Sequence, residues 1–235
     1  QLAARTVSAR QRGFVRGRNL LDNVIETEAA ATHFAQYYGD SSGIALLDLA
    51  AAFPSLAHDW IFAVLRKMGV PRFFRRALAK LYRKVDITLL FGGMVAAGFA
   101  ATSGIKQGCP MSVSIFALAI DPLIRRLLAA SVVTSTRITA FADDIAIVVA
   151  NLSLQLPAII VTFILWETVA ALRLNSGKSA VLPLWSFDGC MIRRWLRHSV
   201  PALATCIIEN YAKYLGVLLG PGAAALQWSP VASKV

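Results

Sequence analysis

The sequence predicts an α+β fold, an antiparallel sheet packed on helices, and three observations predict it. Two β-prone runs, 137–141 and 145–149, flank the adjacent carboxylates Asp143 and Asp144, the pattern of a hairpin with acids where its strands meet. A third strand-like run, 43–49, is apolar except for Asp48 near its end. Between such runs lie segments whose apolar residues recur at helical spacing. No internal repeat and no interdomain linker interrupts the chain.

In chain order, residues 1–18 carry Arg5, Arg10, Arg12, Arg16 and Arg18 with Gly13 and Gly17 between them. Glycine lets backbone approach an anion and arginine binds phosphate bidentately, so this arm reads as a phosphate-contacting loop; a solvated basic arm is the alternative. Residues 19–38 read as a helix with Leu20, Leu21, Val24, Ile25 and Ala29 on its apolar face. A turn at 38–43 leads into the Asp48 strand. A helix starting at Pro54 or Ser55 follows, with Leu56, Trp60, Ile61, Val64, Leu65 and Met68 inward and Gly69 ending it. Pro71 opens another, with Phe74, Leu78 and Leu81 inward.

With Arg66 and Lys67, the polar side of that second helix gives eight basic residues between 66 and 84: the others are Arg72, Arg75, Arg76, Lys80, Arg83 and Lys84. No acidic residue lies between 60 and 85, so nothing local neutralises this segment and a patch that tracks a phosphate backbone is favoured over a solvated face. Residues 85–102 read as two strands around Gly92-Gly93. The Gly-rich turn 103–110 then opens a helix over 112–130, a place where backbone N–H groups suit a phosphate or nucleotide edge. After the acidic hairpin, 156–172 reads as a buried amphipathic helix, since Pro157 and Glu167 spoil a clean membrane span. Residues 174–179 form a turn with Lys178. Residues 180–209 show little pattern, 211–220 read as a short strand pair, and 221–235 as a loose tail.

Composition narrows the partners. The 24 Lys+Arg against 13 Asp+Glu give +11, which suits a polyanion. Three scattered cysteines argue against a disulfide framework and fit a reducing compartment. Cys190, His198 and Cys206 match no zinc spacing. The chain starts at Gln1 without a visible leader, so it reads as a piece of a longer frame, intracellular and not secreted.

The acids carry the chemistry. Asp is a turn residue, so a polar hairpin tip alone would explain Asp143-Asp144. Asp48 within an apolar run is harder to explain, because a buried unpaired charge costs several kcal/mol, on the order given for buried ions. Something must compensate it, and a metal ion is one candidate. Strand alternation predicts that Asp143 and Asp144 point apart, so at most one of the pair serves as a full-time ligand, and a hard divalent cation would need a further carboxylate such as Asp48.

Taken together, the motifs resemble those of a reverse transcriptase, most similar to the non-LTR (LINE-type) retrotransposon class. Gln11-Arg12-Gly13-Phe14-Val15-Arg16-Gly17-Arg18 resembles the fingers motif Gln-x-Gly-Phe-x-x-Gly-Arg. Asp48 with Phe53 resembles Asp-x-x-x-Ala-Phe. Residues 104–112 resemble Gly-x-x-Gln-Gly-Cys-Pro-x-Ser, and 141–144 the Tyr/Phe-Ala-Asp-Asp box. Leu174-Asn175 with Lys178 resembles Leu-Asn-x-x-Lys, and Tyr214-Leu215-Gly216 the primer grip. Ala51, Val113 and Pro54 depart from the common Lys, Pro and Asp.

The resemblance implies a right-hand polymerase palm (41–220) with partial fingers (1–40), the tail beginning a thumb connection. It implies two Mg²⁺, or Mn²⁺ in their place, about 3.5–4 Å apart on Asp48, Asp143, Asp144 and the carbonyl of Leu49. Phe53 would exclude a ribose 2′-hydroxyl, Gln107 and Gly108 would touch nucleotide and template, and Lys178 would protonate pyrophosphate. Arg12, Arg16, Arg18, Arg72, Arg75, Arg76 and Lys80, with Tyr214, Leu215 and Gly216, would hold an RNA template and a DNA primer. Deoxynucleoside triphosphates are the implied substrates, membrane is not an implied partner, and a eukaryotic host would place the protein in the nucleus. A decayed nucleic-acid-binding remnant, a basic membrane-associated protein and an RNA-synthesising palm polymerase are the alternatives.

Overall fold

A computed structural model describes residues 5–82, 85–106, 108–131, 135–224 and 226. The readings at Arg83, Lys84 and Gln107, and of the tail beyond 226, lie outside the described residues. In order the elements are α1 (Leu20–Tyr38), β1 (Gly43–Leu47), α2 (Ala52–Ser55), α3 (His58–Lys67), α4 (Arg72–Tyr82), β2 (Val85–Phe91) and β3 (Met94–Ala101). They continue with α5 (Ser112–Ala130), β4 (Thr136–Phe141), β5 (Asp144–Val149), α6 (Leu152–Ala170), β6 (Ala180–Pro183), α7 (Gly189–Ser199), β7 (Ile207–Ile208), β8 (Ala212–Tyr214) and β9 (Val217–Leu219).

The apolar run ahead of Asp48 is the middle of the sheet. β1 is buried along its whole length, which needs neighbours on both edges and layers on both faces. It pairs antiparallel with β5 and with β6, in the order β4-β5-β1-β6-β7. The two-residue β7 runs parallel to β6, with α7 in the crossover between them. Alternate residues face opposite layers. Ala45, Leu47, Ile145 and Ile147 join the core formed with α3, α5, α6 and α7. Ile44, Leu46, Ala146 and Val148 join a second core under α1 and the β8–β9 pair. Ile44, Ile145 and Ile147 are fully buried, each stabilising the fold by roughly 1.5–3 kcal/mol.

Several expectations need correction. On α1, Leu21 and Ile25 are 54% and 64% exposed, whereas the polar Asn23 and Thr27 are buried. They are paid for by hydrogen bonds: Asn23 Nδ2 donates to the Tyr214 hydroxyl at 3.2 Å, and Thr27 Oγ1 meets Thr139 Oγ1 at 2.9 Å. The helix expected from residue 54 is two pieces, α2 and α3, with Leu56 and Ala57 between them. α4 buries only Leu78 and Tyr82, leaving Phe73, Phe74 and Leu81 exposed, because it packs by one edge. α6 spans 152–170, and it is not amphipathic. One side packs through Leu156, Ile160 and Phe163, yet Leu154, Val161, Leu165 and Val169 lie exposed on the other. By length and composition α6 could cross a membrane, and it serves here as a helix packed on the sheet. The stretch 180–209 contains β6, α7 and β7, elements too short for their periodicity to stand out.

Candidate active site

β4 and β5 stay in register down to Phe141 opposite Asp144, so Ala142 and Asp143 form a two-residue turn. Asp144 begins β5, while Asp143 lies in the turn. Strand alternation therefore does not govern the pair, and both carboxylates sense the charge of Asp48. Asp48 follows directly on Leu47, which pairs with Ile145, the residue after Asp144. The fold thus brings together acids 95 positions apart in sequence.

The Lys178 turn is stitched to the same place. Asn175 N–H donates to the Asp48 carbonyl at 2.9 Å. Asp48 N–H donates to Ser179 Oγ at 3.2 Å, and that hydroxyl donates to the Asn175 carbonyl at 2.8 Å. Leu49, 2% exposed, bridges to Leu174. Ser179 is fully buried and escaped the sequence reading; a Ser after Lys in a polar turn carries no signal of its own.

The electrostatics are those of crowded acid. Burial raises the Asp144 carboxyl to about 6, with Asp143 and then Asp48 adding repulsion. Burial also raises Asp143, as does Asp48, while its own backbone hydrogen bond and Lys178 hold it down. Among the described residues no group of three or more His, Cys, Asp or Glu is arranged as a metal cage. The donor set nevertheless fits hard divalent cations. All donors are carboxylate oxygens, their negative charge is under-compensated, and Mg²⁺ commonly takes one or two carboxylates and fills its shell with water and substrate phosphate.

Phe53 is half-buried and is linked to the acid hairpin through Phe14, whose ring lies 6.4 Å from that of Phe141. The Phe53 ring stacks on the fully buried Phe116 at 4.4 Å between centroids, and Phe14 meets it edge-on at 5.8 Å. The Gly-rich loop lies against it: Ile105 N–H donates to the Phe53 carbonyl at 2.7 Å, and Gly104 N–H to the Leu56 carbonyl at 2.8 Å. Gly108 is exposed, with φ 81°.

The arginines divide. Arg12 donates to Asn23 Oδ1 at 2.7 Å and to Glu26 Oε2 at 2.6 Å. Arg18 binds the backbone carbonyls of Val7, Ser8 and Gln11. These two guanidinium groups hold the N-terminal segment in place, so the phosphate-arm reading fails to describe them. Arg16 is exposed on a shallow groove of about 650 Å³ that Phe14 and Phe141 also line. Arg72, Arg76 and Lys80 are exposed, and Arg75 Nε donates to the Val70 carbonyl at 2.9 Å. Tyr214 is 4% exposed, its hydroxyl bonded to Asn23, so its ring packs the core; only Leu215 and Gly216, at the β8–β9 turn, reach the surface.

Gln11, the first residue of the fingers-like motif, had no role of its own in the sequence reading. It is fully buried against the acid hairpin, its carboxamide bonded to Ala142.

A sheet with two acids on a hairpin tip and a third at the end of the adjacent strand has the architecture of the right-hand polymerase palm. Solved structures share that fold. Apo telomerase from Candida tropicalis superposes with a TM-score of 0.61 at 9% identity, covering 90% of this chain and 37% of that one. Telomerase from Candida albicans in complex with a fragment of telomeric RNA gives 0.55 at 9% identity, covering 94% and 34%. Residues 1–219 match the family Reverse transcriptase (RNA-dependent DNA polymerase), and the chain belongs to that family. Within it the chain is of the non-LTR type. It is 31% identical over 173 residues to the Retrovirus-related Pol polyprotein from type-2 retrotransposable element R2DM of Drosophila melanogaster, covering 72% of this chain and 16% of that protein. It is 28% identical to the Transposon TX1 uncharacterized 149 kDa protein of Xenopus laevis, covering 87% and 16%. The chain thus spans about a sixth of the length of these two relatives.

Proposed function

We propose that this domain extends a DNA primer on an RNA template, using deoxynucleoside triphosphates. The observation that carries the proposal is the convergence of Asp48, Asp143, Asp144 and Lys178 at the mouth of the β1–β5 pairing. Asp48, Asp143 and Asp144 would hold two divalent cations, with the Leu49 carbonyl as a further oxygen. Bound there, the cations would supply Lewis acidity at the primer 3′-hydroxyl and charge neutralisation at the leaving pyrophosphate. Lys178, exposed beside Asp143, would donate a proton to pyrophosphate. Phe53 would exclude the 2′-hydroxyl of a ribonucleotide, since a fixed ring discriminates by repulsion at little cost to the correct substrate. Arg72, Arg76 and Lys80 offer an exposed cationic face for the template–primer backbone.

The test is extension of a labelled DNA primer annealed to RNA, with deoxynucleotides and Mg²⁺. The expected product is template-dependent, blocked by chelation and resistant to ribonuclease. Salt-sensitive binding of the same template–primer without any extension, in Mg²⁺ or in Mn²⁺, would instead make the chain a binding remnant.

A further inference from the structure

Gln11 exposes no surface. A buried carboxamide must find partners for its oxygen and its NH₂, and here they converge on one residue. Gln11 Oε1 accepts from the Ala142 N–H at 2.9 Å and from Gly13 N–H at 2.8 Å; Nε2 donates to the Ala142 carbonyl at 3.0 Å. One side chain thus satisfies both polar backbone groups of the residue before Asp143.

Ala142 needs such support. Its φ is 58°, in the left-handed region that disfavours a residue carrying a Cβ. Gly13 makes the close approach possible, because a Cβ there would lie 2.1 Å from the Ala142 nitrogen. The segment that presents Gln11 is itself anchored. Arg12 N–H donates to the Ala140 carbonyl at 2.8 Å, and Ala140 N–H to the Arg10 carbonyl at 2.9 Å. Ser8 N–H donates to the buried Asp121 at 2.6 Å, and the Arg18 guanidinium gathers the carbonyls of Val7, Ser8 and Gln11. Like charges on Asp143, Asp144 and Asp48 push in the opposite direction, towards opening the turn.

We propose that Gln11 is a positioning residue for the catalytic acids: its carboxamide, carried on the anchored 8–18 segment, holds the Ala142 turn in its left-handed conformation and so fixes Asp143 and Asp144 against mutual repulsion. The proposal rests on the polymerase reading for its kinetic consequence, while its structural core stands without it. Gln11 never touches substrate, and it acts through the backbone of Ala142.

The test is Gln11→Met, which keeps the volume and removes all three bonds. In the metal-free protein, amide exchange across 140–145 should accelerate at least tenfold, with exchange in β1 unchanged. In primer extension kcat should fall about ten- to a hundredfold, with template–primer Kd unmoved. Adding Ala142→Gly to Gln11→Met should restore kcat severalfold, because glycine takes a positive φ unaided. A purely structural glutamine would give no such rescue. The proposal is overturned if exchange at 140–145 is unchanged, or if lost kcat tracks a fall in Tm that Ala142→Gly does not relieve. Should Gln11→Met fail to fold, Gln11→Asn, which withdraws the carboxamide by one methylene, is judged by the same two readouts. Absent extension by the unaltered protein defeats the polymerase reading alone, since the exchange measurement still decides the role of Gln11.

Discussion

Two hairpins in this domain close on two-residue turns and otherwise share little. β2–β3 turns at Gly92-Gly93, whose φ values of 56° and 80° cost glycine nothing. Its strands are apolar, but Leu90, Phe91, Met94 and Val95 are each 69–83% exposed. β4–β5 turns at Ala142-Asp143, a poor turn sequence, yet Ile138, Ala140, Ile145 and Ile147 beneath it are at most 1% exposed. The hairpin with ideal local chemistry stands alone, and the one with unfavourable local chemistry is held by the rest of the molecule. Strain of this kind persists only where tertiary contacts over-determine it, and here it coincides with the carboxylates.

The comparison is broken most severely at its charged end. Asp143→Asn keeps the shape of the turn and removes a charge that the proposed cations would need. Primer extension should fall by about two to three orders of magnitude, the scale set by loss of one electrostatic contact to a transition state. Template–primer binding should hold, which a filter or anisotropy assay at fixed salt will show. Near-normal extension by this variant would remove the acid tip from the active site.

Phe53→Val probes the aromatic residue beside the tip. The stack on Phe116 at 4.4 Å makes some destabilisation certain, about 1–3 kcal/mol by analogy with truncated core residues. A steric gate adds a second effect. Ribonucleotide kcat/KM should rise relative to the deoxynucleotide value by about 10–100-fold, the range for small pocket changes. Melting temperature and both kcat/KM values measured on one preparation separate the roles. Lost stability with unaltered sugar preference leaves Phe53 as packing alone.

Acid repulsion at the tip should also be visible in stability. The Asp144 carboxyl titrates at about 6 in the folded protein and near 4 when unfolded. Between these values the folded state binds more protons, so stability falls as pH rises from about 4 to about 6 and stays low above. Asp144→Asn should therefore raise the metal-free Tm at pH 7.5. Discounted for solvent screening, the gain is about 1–2 kcal/mol, or roughly 3–6 °C. At pH 4 the two proteins should melt together. A lower Tm for the variant at pH 7.5 would mean that Asp144 is paired within the fold.

These contrasts show why the sequence was readable in some places and opaque in others. The strand 43–47, the 94–101 strand and the helix 112–130 stand close to where periodicity and turn residues put them, because packing and local propensity agree there. The acids were legible as types and their meeting followed from the motif resemblance, but the expected divergence of Asp143 and Asp144 failed, since alternation along a strand cannot describe Asp143 in a turn. Gln11 stands out as the first residue of the fingers-like motif, but its burial was not legible: five arginines within 18 residues suggest a solvent-facing arm. A buried amide that serves a residue 131 positions away leaves no local pattern. Asn23 and Thr27 leave no local signal for the same reason, as polar residues buried only because Tyr214 and Thr139 answer them.

The smallest effect belongs to the free hairpin, and it sharpens the comparison from the other side. An isolated two-stranded ribbon is marginal in water, since it buries too little to offset the ordering of its chain. If β2–β3 contributes nothing to the core, Phe91→Ser with Met94→Ser should shift Tm by no more than about 1–2 °C, as for substitutions on open surface. In β5 a single change, Ile147→Ala, removes a fully buried side chain and should cost about 2–5 kcal/mol. Limited proteolysis adds an independent reading. Cleavage should fall first around 91–94, where the turn is exposed, with 141–144 intact under the Gln11 contacts. A Tm loss of 5 °C or more for the double serine variant would show that the ribbon packs on the rest of the protein. The two hairpins would then be supported alike, and the contrast between a free turn and a held one would disappear.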